Sequence, residues 1–288
     1  MAHPRRIATL AGTGLGIFVA LALNAVLAHA SGGAVAMEEF HQTYALNAGG
    51  RVALENINGP VHIATWDQNQ VKVDAIKRAS DDERLKNMEI RVSANPDSIS
   101  IETHYLQSDN GWNDGDHHNP GSVEYTLTVP RTARLDEIKL INGSLDVTGV
   151  TGEVRAQCIN GKLTARGLTG DAKLETINGH LDANFEKLPS TPIDLSSVNG
   201  TLEVTLPSDA KANIEATTVH GGIENDFGLH TNDHRFVGHD MRGELGGGGT
   251  RIHLTNVNGR IEVHHANDGR AMSPAKDLNS RDEGGDEI

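Results

Sequence analysis

The chain has 288 residues and a formal net charge of −14, with 39 Asp and Glu against 25 Lys and Arg. That balance argues against nucleic acid or anionic lipid as a partner, because both are held by clustered Lys and Arg. Cys158 is the only cysteine, so no internal disulfide is available and stability has to come from strand pairing and packing.

At the N-terminus, Arg5-Arg6 precede an apolar run from Ile7 to Leu27 that ends in Ala28-His29-Ala30, a small-x-small cleavage signal before Ser31. Residues 1–30 therefore read as a signal peptide, and the Arg pair hints at twin-arginine export. Ala34-Val35-Ala36 offers a second cut. If the run stays uncleaved it is long enough to anchor the chain in a bilayer, and membrane attachment is expected only in that case. The expected location is the periplasm or the cell surface. Removing the leader takes away two Arg and no acid, which leaves the remainder more acidic still.

Residues 31–134 read as a β segment without a repeat. Phe40–Leu46, Arg51–Ile57, Val61–Trp66 and Val71–Ile76 alternate as strands. Asp81-Asp82 cap one short helix running to Met88. Ile90–Ala94, Ile99–Tyr105 and Val123–Val129 follow as strands, around a loop from Ser108 to Gly121 rich in Asn, Gly, Asp and His.

From Leu135 a short phrase recurs. A β-branched residue precedes Asn-Gly, and an alternating strand follows: Ile141-Asn142-Gly143, Ile159-Asn160-Gly161 and Ile177-Asn178-Gly179, eighteen residues apart. The phrase returns as Val198-Asn199-Gly200 and Val257-Asn258-Gly259, and degenerates to Val219-His220-Gly221. An early copy, Ile57-Asn58-Gly59, stands apart in the sequence. After each Gly, apolar residues alternate with polar ones (Leu145/Val147, Leu163/Ala165, Leu181/Ala183, Leu202/Val204, Ile261/Val263), which is the period of half-buried strands.

Asn-Gly between such runs can close a hairpin meander or turn the corner of a β-solenoid. Self-similarity at this period favours stacking like on like, so the expected fold is all-β: a parallel β-solenoid-like stack over residues 135–266, preceded by the smaller β-rich segment, which would pack on its open end. Stacking would align the Asn side chains in a hydrogen-bonded ladder, giving Asn142, Gly143, Asn160, Gly161, Asn178, Gly179, Asn199, Gly200, Asn258 and Gly259 a structural role. His220 would interrupt that ladder. Gly246–Gly249 precede a strand and no helix, so they read as a turn and not a phosphate loop. Residues 267–288 are polar and acidic and read as a disordered tail.

Candidate chemistry is sparse. No nucleophile elbow, metalloprotease helix or dinucleotide fingerprint occurs, and no cofactor is expected. Asp114, Asp116, His117 and His118 share one loop; His230, His234, His239 and Asp240 share another, and His230, His234 and His239 are the better candidates for a metal. The outward acids Asp146, Asp182, Glu203 and Glu262 raise the alternative of a polysaccharide-acting enzyme. They occupy one repeat position, as a solvated strand face requires. Trp66, Trp112, Tyr105 and Tyr125 all lie before the repeats, so a sugar platform would be sought there.

The run Thr65-Trp66-Asp67, Val71-Lys72-Val73 and Lys77-Arg78-Ala79, the Val129-Pro130-Arg131 step, the Asn-Gly repeats and the Gly-rich turn before Arg251-Ile252 resemble a bacterial family of β-strand-repeat domains of unknown function, the putative adhesins. The resemblance covers residues 40–266. It implies an exported β-repeat domain, often envelope-associated. The leader, the repeat, the acidic surface and the lack of a catalytic motif lead to the expected function, a non-enzymatic cell-envelope adhesin or interaction scaffold with an envelope or surface ligand, protein or polysaccharide.

Overall fold

The computed structural model describes residues 35–106, 121–233 and 238–279. The expected leader at 1–30 lies outside them. The first strands are β1 (Ala36–Ala45), β2 (Arg51–Asn58), β3 (Val61–Trp66) and β4 (Gln70–Ala79). Helix α1 (Asp82–Lys86) follows, its N-terminus capped by Asp81, whose carboxylate accepts from Arg84 N at 2.8 Å. Next come β5 (Met88–Asn95), β6 (Ser98–Tyr105) and β7 (Ser122–Pro130). The repeats then form strand pairs: β8 (Arg134–Asn142) with β9 (Leu145–Thr148), β10 (Val154–Asn160) with β11 (Leu163–Leu168), β12 (Ala172–Asn178) with β13 (Leu181–Phe185), β14 (Ile193–Asn199) with β15 (Leu202–Leu206), and β16 (Ala212–His220) with β17 (Ile223–Asn225). The insertion carries β18 (Asn232–Asp233) and β19 (His239–Leu245); β20 (Thr250–Asn258), β21 (Ile261–His265) and β22 (Ala275–Asp277) end the described chain.

These strands form two sheets facing one core. A ten-stranded sheet runs β1-β4-β7-β3-β9-β11-β13-β15-β21-β17, and a twelve-stranded one runs β18-β19-β16-β20-β14-β12-β10-β8-β2-β6-β5, with β22 on β19. Each coil contributes one strand to each sheet and the Asn-Gly corner joins them. Neighbouring coils pair in parallel, so the fold is the solenoid stack and not the meander. Leu145, Leu163, Leu181, Leu202 and Ile261 occupy one column in register and none is exposed to solvent. Burying a side chain of this kind is worth roughly 1.5–3 kcal/mol, so one such residue per coil is a large share of what fixes the register.

The stack extends beyond the periodic repeats at its first end. β2 and β3 pair in parallel with β8 and β9, setting Asn58 opposite Asn142 and Val61 opposite Leu145. The early Ile57-Asn58-Gly59 copy is thus a coil of the same stack. β6 and β7 lie beyond it as the outermost parallel coil, with Ile99 opposite Val52 and Tyr125 opposite Val61. The segment before the repeats therefore continues the stack as well as closing it. Distance along the chain conceals this: the Asn142–Asn58 contact spans 84 residues.

Both ends are laid out of sequence order. At the first end the chain builds β2–β3, moves outward to β6–β7, then returns across β2–β3 to start β8–β9. At the second end it leaves β14–β15, builds the outermost coil β16–β17, and comes back to insert β20–β21 between them. His220 consequently sits on the terminal coil, and the Asn column runs from Asn199 directly to Asn258. The interruption expected at His220 does not arise, because the coil that carries it lies past the end of the ladder.

Antiparallel strands close the ends, which would otherwise offer open templates for pairing. β4 adds to β7 and β1 to β4, β5 adds to β6, and β19 adds to β16. Residues 267–279, expected within a disordered tail, are held in place. Ala275–Asp277 pairs with β19, and Leu278 N donates to Arg242 O at 3.0 Å. Few apolar side chains are needed there, because backbone bonds to the open edge of β19 do the holding.

Candidate interaction surface

The Asn-Gly corner has a backbone cause. At Gly200, φ is +137°, and a Cβ would lie 1.8 Å from Gly179 O. Corners in adjacent coils sit so close that no side chain fits between them. Each Gly N donates to the Asn carbonyl of the next coil: Gly59 to Asn142, Gly143 to Asn160, Gly161 to Asn178, Gly179 to Asn199 and Gly200 to Asn258, all between 2.8 and 3.0 Å. Gly259 N donates to His220 O at 2.7 Å.

The Asn side chains run the opposite way. Asn142 Nδ2 donates to Asn58 Oδ1, Asn160 to Asn142, Asn178 to Asn160, and Asn199 to Asn178, each at 2.9 Å; Asn258 donates to Asn199 at 2.8 Å. Each interior amide thus spends one N–H and one lone pair on the ladder. A second N–H and a second lone pair are left over at every step.

Beside the ladder, on the outer face of the larger sheet, runs the β-branched residue of each phrase. Ile57, Ile141, Val198, Val257 and Val219 are exposed, with Ile141 at 40%, while Ile159 and Ile177 are half-buried. Coils about 4.8 Å apart make this row about 30 Å long. Near its first end a groove of about 430 Å³ opens between Ile57, Ile141 and Ile159 on one side and His104 and Tyr105 on the other. Lys139 and Glu55 rim it, 3.3 Å apart. Its floor is stiffened by a buried chain: Thr103 Oγ1 donates to Asn56 Oδ1 at 3.0 Å, meets Tyr125 Oη at 2.8 Å, and Asn56 Nδ2 donates to Val123 O at 2.8 Å. Burial pushes the Tyr125 hydroxyl well above its usual range, so it stays protonated and can donate.

The outward acids lie on the other sheet and are paired with bases. Asp146 is 3.2 Å from His62, Asp182 2.9 Å from Arg166, Glu203 3.5 Å from His180 and Glu262 3.3 Å from Arg260. They are strung one per coil along the stack. His264 lies 3.0 Å from Asp226 and 3.4 Å from Glu262. Burial depresses its proton affinity, but the hydrogen bonds to these two carboxylates outweigh that and hold the imidazole above its ordinary range. Cys158 points inward with its sulfur 3.3 Å from Gly143 O, and burial pushes its thiol up to about 11, far from a nucleophilic thiolate.

Of the metal candidates, His234 lies outside the described residues, as do Asp114, Asp116, His117 and His118. His230 is fixed by its backbone, donating to Asp277 Oδ1 at 2.8 Å and accepting from Asn279 at 2.9 Å. His239 sits on β19 opposite Thr218 and Asp233. Among the described residues no group of three or more His, Cys, Asp or Glu side chains is arranged to hold a metal.

With the parallel coils, the glycine corners and the closing strands in place, sequence comparison supplies the family. The model of the Toastrack DUF4097 family matches residues 28–264. The chain belongs to that family. No curated protein matches this Toastrack chain in sequence. Among solved structures it is similar to a putative cell adhesion protein from Clostridium sporogenes, 13% identical over 80% of this chain and 100% of that one, with a TM-score of 0.44. It is also similar to a putative adhesin from Bacteroides fragilis, 10% identical over 80% and 97% of the two chains, with a TM-score of 0.38. Among the described residues of this Toastrack protein, no helix is long and apolar enough to cross a membrane.

In the sequence the β-branched residue before Asn-Gly marks only the repeat. Its outward position has a signal, since a residue directly after a buried Thr, Ser, Cys or Asn on a strand points to the face opposite the core, whereas the groove depends on β6, which no period links to the repeats.

Proposed function

We propose that this protein is an exported, non-enzymatic scaffold of the cell envelope that binds an extended surface ligand along the β-branched row and the Asn ladder. The observation that carries the reading is the row itself. Isolated exposed apolar residues are ordinary, but Ile or Val at the same outward site in every Asn-Gly coil makes a continuous apolar strip, and such strips mark interaction sites. The unspent N–H and lone pair on each Asn supply polar contacts beside it at the same spacing. A ligand that matches both is long, presents an apolar edge, and carries donors and acceptors next to that edge, as a polysaccharide or an extended peptide does. The leader sequence supports export, and the pairing of the outward acids with His, Arg and Lys supports a structural role for them over acid–base catalysis.

Labelled protein incubated with intact cells and with a panel of envelope and plant polysaccharides tests the reading. Saturable retention without change to the polymer is expected. Turnover of any polymer that is abolished by Asp182→Asn or Glu203→Gln would overturn it in favour of an enzyme.

A further inference from the structure

β1 is the outer edge of the ten-stranded sheet: β4 pairs with it on one side, and among the described residues nothing pairs with it on the other. Its ten residues make it the longest edge strand, against eight in β5, three in β17 and β22 and two in β18. An edge of that length is a template for another strand unless something blocks it. The inward charge that commonly does so, Glu38, is here neutralised by Lys77 at 2.9 Å.

Hydrogen-bond parity determines which backbone groups are free. Leu46 N donates to Asn69 O at 3.0 Å, in the register that sets Ala45 opposite Gln70. Even-numbered residues of β1 therefore bond to β4, while Met37, Glu39, His41 and Thr43 turn N–H and C=O to the open edge. The side chains of those odd-numbered residues are exposed, and the even-numbered Phe40 and Tyr44 are only half-buried against the core.

We propose that β1 is a self-association edge: two copies of this chain pair β1 with β1, antiparallel, about a two-fold axis at Phe40, joining their ten-stranded sheets. The side chains select that register. Centred on Phe40, Glu39 faces His41 of the other copy and Met37 faces Thr43, and both pairs exchange backbone bonds through the groups left free. Centred on His41 or on Glu39, the axis would instead set like against like, which is destabilising for directly opposed charges. At the Phe40 centre the two rings meet in a non-hydrogen-bonded pair, where side chains approach most closely and aromatic pairs are favoured. This dimer does not depend on the binding row, although it would present two rows on one particle and strengthen binding to a repetitive ligand.

Sedimentation of the full chain across micromolar concentrations should give a dimer. Thr43→Pro removes an N–H that faces the open edge and none that bonds to β4, and proline is tolerated at such edge positions. This variant should be monomeric with the melting temperature of the parent. Under mild oxidation Phe40→Cys should cross-link two copies, His41→Cys should not, and buried Cys158 should not compete. A parent chain that is monomeric throughout, a dimer that survives Thr43→Pro, or cross-linking through His41→Cys instead of Phe40→Cys would each overturn the proposal.

Discussion

Gly200 is the position where the demands on one residue are most severe, since its backbone lies in a region side chains avoid and its Cβ site is already filled by Gly179 O. Gly200→Ala is expected to cost more than about 3 kcal/mol, because the strain and the collision add. Gly222, with nothing within 4 Å of its Cβ site, is the control: Gly222→Ala should leave the melting temperature nearly unchanged. The ladder is worth less per residue. Asn160→Ala breaks bonds to both Asn142 and Asn178, but the site is exposed and water replaces the partners, so a loss of about 1 kcal/mol is expected from denaturant titration. The phrase Asn-Gly was legible in the sequence as a corner. Why it must be Gly was not, because the group that excludes a side chain belongs to another coil.

Among the elements, β21 carries a histidine whose carboxylate neighbours raise it on the outer face of the smaller sheet. His264 has its proton affinity raised in the folded state by Asp226 and Glu262. A group raised on folding stabilises fully below its unfolded value of about 6.5 and loses that contribution as pH climbs through the folded value. The stability difference between the parent and His264→Gln should therefore be largest near about pH 5.5 and vanish at mildly alkaline pH. A constant difference across that range would mean that the imidazole acts through packing alone. At this scale the repeat period located β8 to β15 and the last coil β20–β21, since each is a self-similar copy. It could not place β6 and β7, which residues 106–121 separate in the sequence where the other coils have Asn-Gly, and it gave no sign that β20 lies beside β14.

For the molecule as a whole, the order in which the coils are laid has a consequence for stability. β20–β21 comes last among the coils in sequence yet lies inside the stack, flanked by β14–β15 and β16–β17. Local opening should follow position in space and not position in the chain. Native-state hydrogen exchange is expected to show β20 protected as strongly as β14, and more strongly than β19 and β22 at the edge. Early exchange across β20 would mean that the last coil frays as a terminus.

The β-branched row is likewise a property of the whole stack, built from one residue per coil that no single repeat could present as a surface. Its part in function is measured by retention on intact cells of the parent chain and of a variant carrying Ile141→Asp with Ile177→Asp, set beside Thr205→Asp on the other sheet. With all three proteins melting alike, the double variant should lose about tenfold or more in apparent affinity, the loss of roughly 1.4 kcal/mol or more that two charges on an apolar contact impose, while Thr205→Asp binds as the parent does. Equal retention of the parent and the double variant would contradict a role for the row in binding.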